Sequence, residues 1–112
     1  WERNHYDRLV HFLSGLLFYQ PLKEILRKFT SLRVPMLSIF VFLLIVSVST
    51  FFELLEWLVA VALGQQADVN YVGAQGDLWD AQKDQALAIL GSLIAIAIIQ
   101  FKRLREVLYL RP

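Results

Sequence analysis

Residues 36–63 read MLSIFVFLLIVSVSTFFELLEWLVAVAL, an apolar stretch interrupted by only two charged side chains, Glu53 and Glu56. A helix needs about 20 consecutive apolar residues to cross the hydrocarbon of a bilayer. This stretch exceeds that requirement, with enough left over to tilt or to project from the membrane. Pro35, just before it, suits a first helical position, and Gly64 stops it. These residues imply an all-α membrane protein.

The rest of the chain agrees. Its 112 residues are 57% hydrophobic, with a mean hydropathy of +0.51, whereas soluble domains are about 45–50% apolar even with glycine counted. A net charge of +1 gives no reason to expect nucleic acid or another polyanion as partner; the expected partners are the lipid bilayer and other membrane subunits. The absence of cysteine excludes disulfides, thiolate metal sites and cysteine nucleophiles. The first residues lack the apolar core and small-residue cleavage site of a cleavable signal.

Two further spans flank the first. Residues 7–28 carry apolar side chains at helical spacing, and Pro21 is expected to kink the helix beyond it. A tilted or broken span is expected there, with a soluble amphipathic helix as the alternative. Residues 64–76 form a polar loop, and the third span is expected over about 78–101 with Trp79 as an interfacial anchor. Lys102, Arg103 and Arg105 close that span, where cations suit the negative end of a helix dipole. Residues 102–112 are expected to lie as a basic tail along the membrane surface. The whole chain, 1–112, reads as one transmembrane helical domain.

Charge bias sets the expected orientation. Eight of the eleven Lys and Arg residues fall between spans one and two or after span three, so residues 23–33 and 102–112 are expected on the cytoplasmic side. The loop 64–76 then lies outside. Asp7, His11, Glu56, Asp77, Asp80 and Asp84 gather toward the outer half of the bilayer, with Glu53 nearer the middle.

Helical spacing groups these side chains further. Asp7, His11 and Gly15 share a face, as do Ser49, Glu53, Glu56 and Ala60, and as do Asp77, Asp80, Asp84, Ala88, Gly91 and Ala95. Each stripe mixes ionisable with small residues. Small residues let transmembrane backbones approach closely, and ionisable residues within a membrane normally face inward. Three helices packed through these stripes are therefore expected to bury an acidic, histidine-containing site.

Six carboxylates and one imidazole cannot all remain charged there without compensation, because burying an unpaired charge is costly. A divalent cation is the simplest remedy, and oxygen ligands with one histidine suit Mg, Mn, Fe or Zn. His11, Glu53, Glu56, Asp80 and Asp84 are the expected ligands. Asp77 is either a ligand or a general base, and Asp7 belongs to the same polar cluster. Four of them have a plainer alternative: Asp77 as a helix N-cap, Asp80 as a favourable charge in a first turn, His11 as a hydrogen-bonded core histidine, and Asp7 as the partner of Arg3 or Arg8. No nucleophile elbow, phosphate loop, HExxH or dinucleotide fingerprint is present.

Three blocks carry a resemblance. His5-Tyr6-Asp7-Arg8-Leu9-Val10-His11-Phe12, then Phe52-Glu53-Leu54-Leu55-Glu56-Trp57, then GAQGDLWDAQKD at 73–84 together resemble the YjdF-like bacterial inner-membrane proteins, a family labelled as a domain of unknown function. The resemblance runs from His5 to about Gly91. It implies a polytopic inner-membrane protein without an established activity, with Asp7, His11, Glu53, Glu56, Asp77, Asp80 and Asp84 as the carried-over positions. Family members usually have further hydrophobic segments ahead of the histidine block, so a truncated chain or a short relative is expected here. A fainter similarity to VanZ-like membrane proteins lies in the order His, Glu, then Asp84 with Gly91, although Ala88 stands where that pattern has Asn.

Three functions remain open on this reading. One is a divalent-metal site, with metal-assisted hydrolysis or transfer on a lipid-linked or phosphorylated substrate. Another is a non-catalytic subunit of a larger membrane complex, and the third is a proton or cation pathway.

Overall fold

The computed structural model describes residues 5–63, 77 and 79–109. They form three helices, α1 (Tyr6–Phe29), α2 (Val34–Leu63) and α3 (Asp80–Tyr109), with no strand among the described residues. The loop expected outside, 64–76, lies beyond the described residues, as do 1–4, 78 and 110–112.

Local chemistry explains most of the boundaries. The His5 carbonyl accepts the Leu9 N–H at 3.1 Å as α1 opens. At its far end Thr30 turns back, its N–H and its hydroxyl both donating to the Leu26 carbonyl at 2.9 and 2.6 Å. Pro21 lies inside α1 without interrupting it; its missing N–H deprives the Leu17 carbonyl of a partner. In α2 the Arg33 carbonyl accepts the Leu37 N–H at 2.9 Å, so Pro35 falls in the first turn, where its N–H would have no intrahelical acceptor anyway. Hydroxyls within the apolar helices are satisfied internally: Ser47 donates to the Leu43 carbonyl, Thr50 to Val46 and Ser92 to Ala88, at 2.7 to 2.9 Å. In lipid no water would do this for them.

The helices are apolar on the outside. Only 22% of the most apolar window of α2 is buried, and the same share of α3. The buried side of α2 is the narrow line Leu37, Val41, Ile45 and Ser49, while Phe40, Phe51, Leu54 and Leu58 point outward. Soluble monomers rarely expose contiguous apolar patches of this extent, so the surrounding solvent is lipid. By length and composition α2 and α3 qualify as membrane spans. In α1 the apolar middle is flanked by Asp7 and Arg8 before it and by Lys23, Glu24, Arg27 and Lys28 after it. The third helix runs unbroken past Phe101 to Tyr109, so the cationic residues that close its apolar part continue the same helix rather than starting a separate tail.

Glycine sets the packing of α1 on α3. A Cβ at Gly15 would collide with the Ala88 carbonyl oxygen and come within 2.8 Å of the Ser92 nitrogen; one at Gly91 would collide with the Phe12 carbonyl oxygen and lie 2.9 Å from the Leu16 nitrogen. Neither neighbour is a side chain that can swing away. The core beside this crossing is Tyr19, Val41, Ile45 and Ala95, backed by Leu16, Leu22, Leu26, Ile96 and Ile99. Along the same three faces, in the direction of the α1 N-terminus, apolar packing gives way to His11, Ser49 and Asp84, all buried.

Candidate functional site

The site is a direct consequence of the glycine crossing. His11 lies one turn before Gly15 on α1, and Asp84 lies one turn before Ala88 on α3, so close backbones bring these two side chains together. Helix α2 supplies Ser49 and, one turn later, Glu53. The group is Asp7, His11, Glu53 and Asp84, each offering one ligand atom within 4.8 Å of the others.

Its histidine is held at both ends. Nδ1 lies 2.9 Å from Ser49 Oγ in a buried hydrogen bond, and the ring meets Phe52 edge-on at 6.3 Å between centroids. In the tautomer whose Nδ1–H donates to Ser49, Nε2 keeps a lone pair that faces the carboxylates, the form a metal ligand requires. From Nε2 to Glu53 Oε1 is 3.0 Å, and to Asp7 Oδ1 3.5 Å. The shorter of these is within hydrogen-bond and ion-pair range, so a proton on Nε2 would be shared with Glu53, and a lone pair there would face its oxygen. Asp84 is fully buried, and neither of its oxygens accepts a hydrogen bond. Its nearest cation is Arg8, whose Nε is 3.9 Å from Oδ1.

These separations fit a shared cation. Ligand atoms about 2.1 Å from a Zn- or Mg-sized ion lie roughly 3.0 Å apart at neighbouring octahedral corners and about 3.4 Å apart in a tetrahedron. The His11–Glu53 and His11–Asp7 distances, 3.0 and 3.5 Å, fall close to those values, whereas the group as a whole, spread over up to 4.8 Å, must draw in to close on one ion.

A second set of acidic residues is organised by Arg8. Its Nη2 donates to Asp77 Oδ2 at 3.1 Å and lies 3.7 Å from Asp80 Oδ1, in addition to its approach to Asp84. Lys83 also engages Asp77 Oδ2. Asp77 Oδ1 accepts the Trp79 N–H at 3.0 Å, which satisfies one of the orphan donors at the start of α3. Asp80 is buried in the first turn. Glu56 is half-buried on α2, one turn beyond Glu53 and outside the four-residue group.

Of the sequence-predicted residues the fold therefore gathers Asp7, His11, Glu53 and Asp84 into one cluster, sets Asp77 and Asp80 against Arg8, and holds Glu56 outside the four but close enough to feel the charges of all of them. Two participants are not singled out by the sequence, Arg8 as a bridge to α3 and Ser49 as the support of His11. Ser49 stands four residues before Glu53 on the acidic stripe, and that spacing is the signal available for it.

The chain matches the family model described as "Predicted membrane protein (DUF2238)" over residues 1–105. It is 39% identical over 99 residues to the inner membrane protein YjdF of Escherichia coli strain K12, an alignment covering 88% of this chain and 47% of that protein. The chain thus spans about half the length of that curated relative. No solved structure matches.

Proposed function

This chain belongs to the DUF2238 family of membrane proteins, and from that premise we propose that Asp7, His11, Glu53 and Asp84 form a divalent-cation site within the membrane. The observation that carries the reading is Asp84: a fully buried carboxylate, without a hydrogen bond to either oxygen, beside an imidazole nitrogen and two further carboxylates. Such a group is costly unless a cation compensates it. Three oxygen donors and one imidazole favour Mn, Fe or Zn, with Mg the less suited because of the nitrogen ligand.

The positive-inside bias supports a cytoplasmic position for residues 23–33 and 102–112, with α1 as a third span, the site in the outer half of the bilayer and the loop 64–76 outside. A bound divalent ion would there polarise a phosphoryl or carbonyl oxygen or acidify a water. That chemistry suits hydrolysis or transfer on a lipid-linked or phosphorylated substrate. The chain's own part is to hold the imidazole through Ser49 and to keep the carboxylates in a low-dielectric setting. The role of general base is not assigned to Asp77, because both its oxygens are engaged, by Trp79 on one side and by Arg8 and Lys83 on the other.

One observation favours a second reading, a non-catalytic subunit whose acidic stripe is neutralised by cationic side chains: Arg8 reaches all three aspartates, Asp77, Asp80 and Asp84. Thermal unfolding of the purified protein separates the two. After chelation, resupplied Mn2+ or Zn2+ at a hundredfold excess over Kd is expected to stabilise the protein by about 2.7 kcal/mol, and His11→Ala is expected to abolish that response. A melting curve indifferent to divalent ions would remove the metal reading and favour the ion-pair one.

A further inference from the structure

The end of the bundle remote from His11 holds a cleft of about 590 Å³ between the three helices. Lys23 and Arg27 of α1 and Lys102 and Arg103 of α3 line it, with Val34, Leu37 and Ile99 as apolar wall. Its volume lies within the ~300–1,000 Å³ typical of small-molecule sites. We propose that this cleft binds the phosphodiester headgroup of an anionic phospholipid, the acyl chains running along the apolar wall.

Four features carry the assignment. The cations come from two different helices and converge on one space, whereas Lys28 and Arg105 lie over the rings of Phe29 and Tyr109 on their own helices, at 5.8 and 5.6 Å. Lys23 also approaches a ring, that of Tyr19 at 5.9 Å, while lining the cleft. Among the described residues none of the four cations lies in an ion pair. The cleft also contains Glu24 and Glu106, but four cations stand against these two carboxylates, so positive charge remains in excess. The position is the fourth feature. Ile99 and Lys102 straddle the point at which the apolar part of α3 ends, the depth at which a lipid phosphate meets hydrocarbon. Basic pockets between transmembrane helices at this depth hold anionic headgroups. A soluble phosphate would gain the same charge but nothing from the apolar wall.

The test is native mass spectrometry of the full chain, delipidated in neutral detergent and offered phosphatidylglycerol and phosphatidylcholine together. The wild type is expected to retain one phosphatidylglycerol with at least about tenfold preference. The double variant Arg27→Gln/Arg103→Gln should lose that preference, while Lys28→Gln/Arg105→Gln, with the same change in net charge, should keep it. Equal loss in both doubles would overturn the site in favour of diffuse charge. Absence of a preference in the wild type would overturn it as well. Displacement of the lipid by millimolar inorganic phosphate would assign the cleft to a soluble anion instead. None of these outcomes depends on the metal reading, because the His11 group lies at the other end of the bundle.

Discussion

Gly91→Leu is expected to abolish recoverable folded protein. The α1 and α3 backbones meet at this residue, and even a Cβ would collide with the Phe12 carbonyl oxygen and crowd the Leu16 nitrogen. Overpacking a core against side chains costs about 1–3 kcal/mol; here the obstacle is backbone, so the helices must separate along their length. Separation would expose Ser92 and the buried end of Asp84 to lipid and would pull His11 away from its partners. Size-exclusion chromatography in detergent should show aggregated or absent protein. Ala97→Leu, a change of similar size on the exposed face of the same helix, should elute and melt as the wild type does. An unperturbed Gly91→Leu protein would mean that α1 and α3 do not cross as described.

The second large effect is expected at Arg8. Removing one partner of a buried ion pair is strongly destabilising, by about 3–5 kcal/mol, because the other charge is left uncompensated. Arg8 retains 22% exposure of its side chain and reaches Asp80 and Asp84 only at 3.7 and 3.9 Å, so solvent screening brings the expectation for Arg8→Gln down to about 2 kcal/mol. Two rescues are expected. Asp80→Asn in the same chain removes one of the charges that Arg8 faces and should restore part of the loss. A divalent cation, if bound at Asp84, should restore part of it as well, and measurably more than it stabilises a His11→Ala/Arg8→Gln double variant. Thermal melts with and without Mn2+ or Zn2+ provide both comparisons. Arg8→Gln melting at the wild-type temperature would show that the guanidinium contributes little to the acidic end.

The contact faces are readable because helical spacing and residue size say the same thing. On α3 the acidic and small stripe Asp80, Asp84, Ala88, Gly91 and Ala95 is buried, joined by Ser92. On α1 His11 and Gly15 are buried with Tyr19. Residues that can pack closely in lipid are few in kind, so their periodicity marks the interface. Spacing does not resolve which members of a stripe meet across helices. Glu53 and Glu56 lie in one apolar run, but only Glu53 continues the line of Ile45 and Ser49 that faces α1, and Glu56 is turned about 60° from it. Arg8 illustrates the same limit. Its neighbour in sequence, Asp7, is the natural partner, yet adjacent helical residues point in different directions, and Arg8 instead reaches Asp77, 69 positions away. The continuation of α3 to Tyr109 escapes the sequence for another reason. Lys102, Arg103 and Arg105 mark where the apolar segment ends, and they are good helix formers, so the end of the apolar segment and the end of the helix are separate events.

Compensation of the buried group at Asp84 by a divalent cation is tested most directly by elemental mass spectrometry of detergent-purified protein. The protein is prepared without chelator and resupplied with metal, with the wild type beside Glu53→Gln and Asp84→Asn. Near-stoichiometric Mn, Fe or Zn in the wild type, lost in both variants while each still elutes as folded protein, is the predicted result. A folded wild type that carries no divalent metal after resupply would contradict the account.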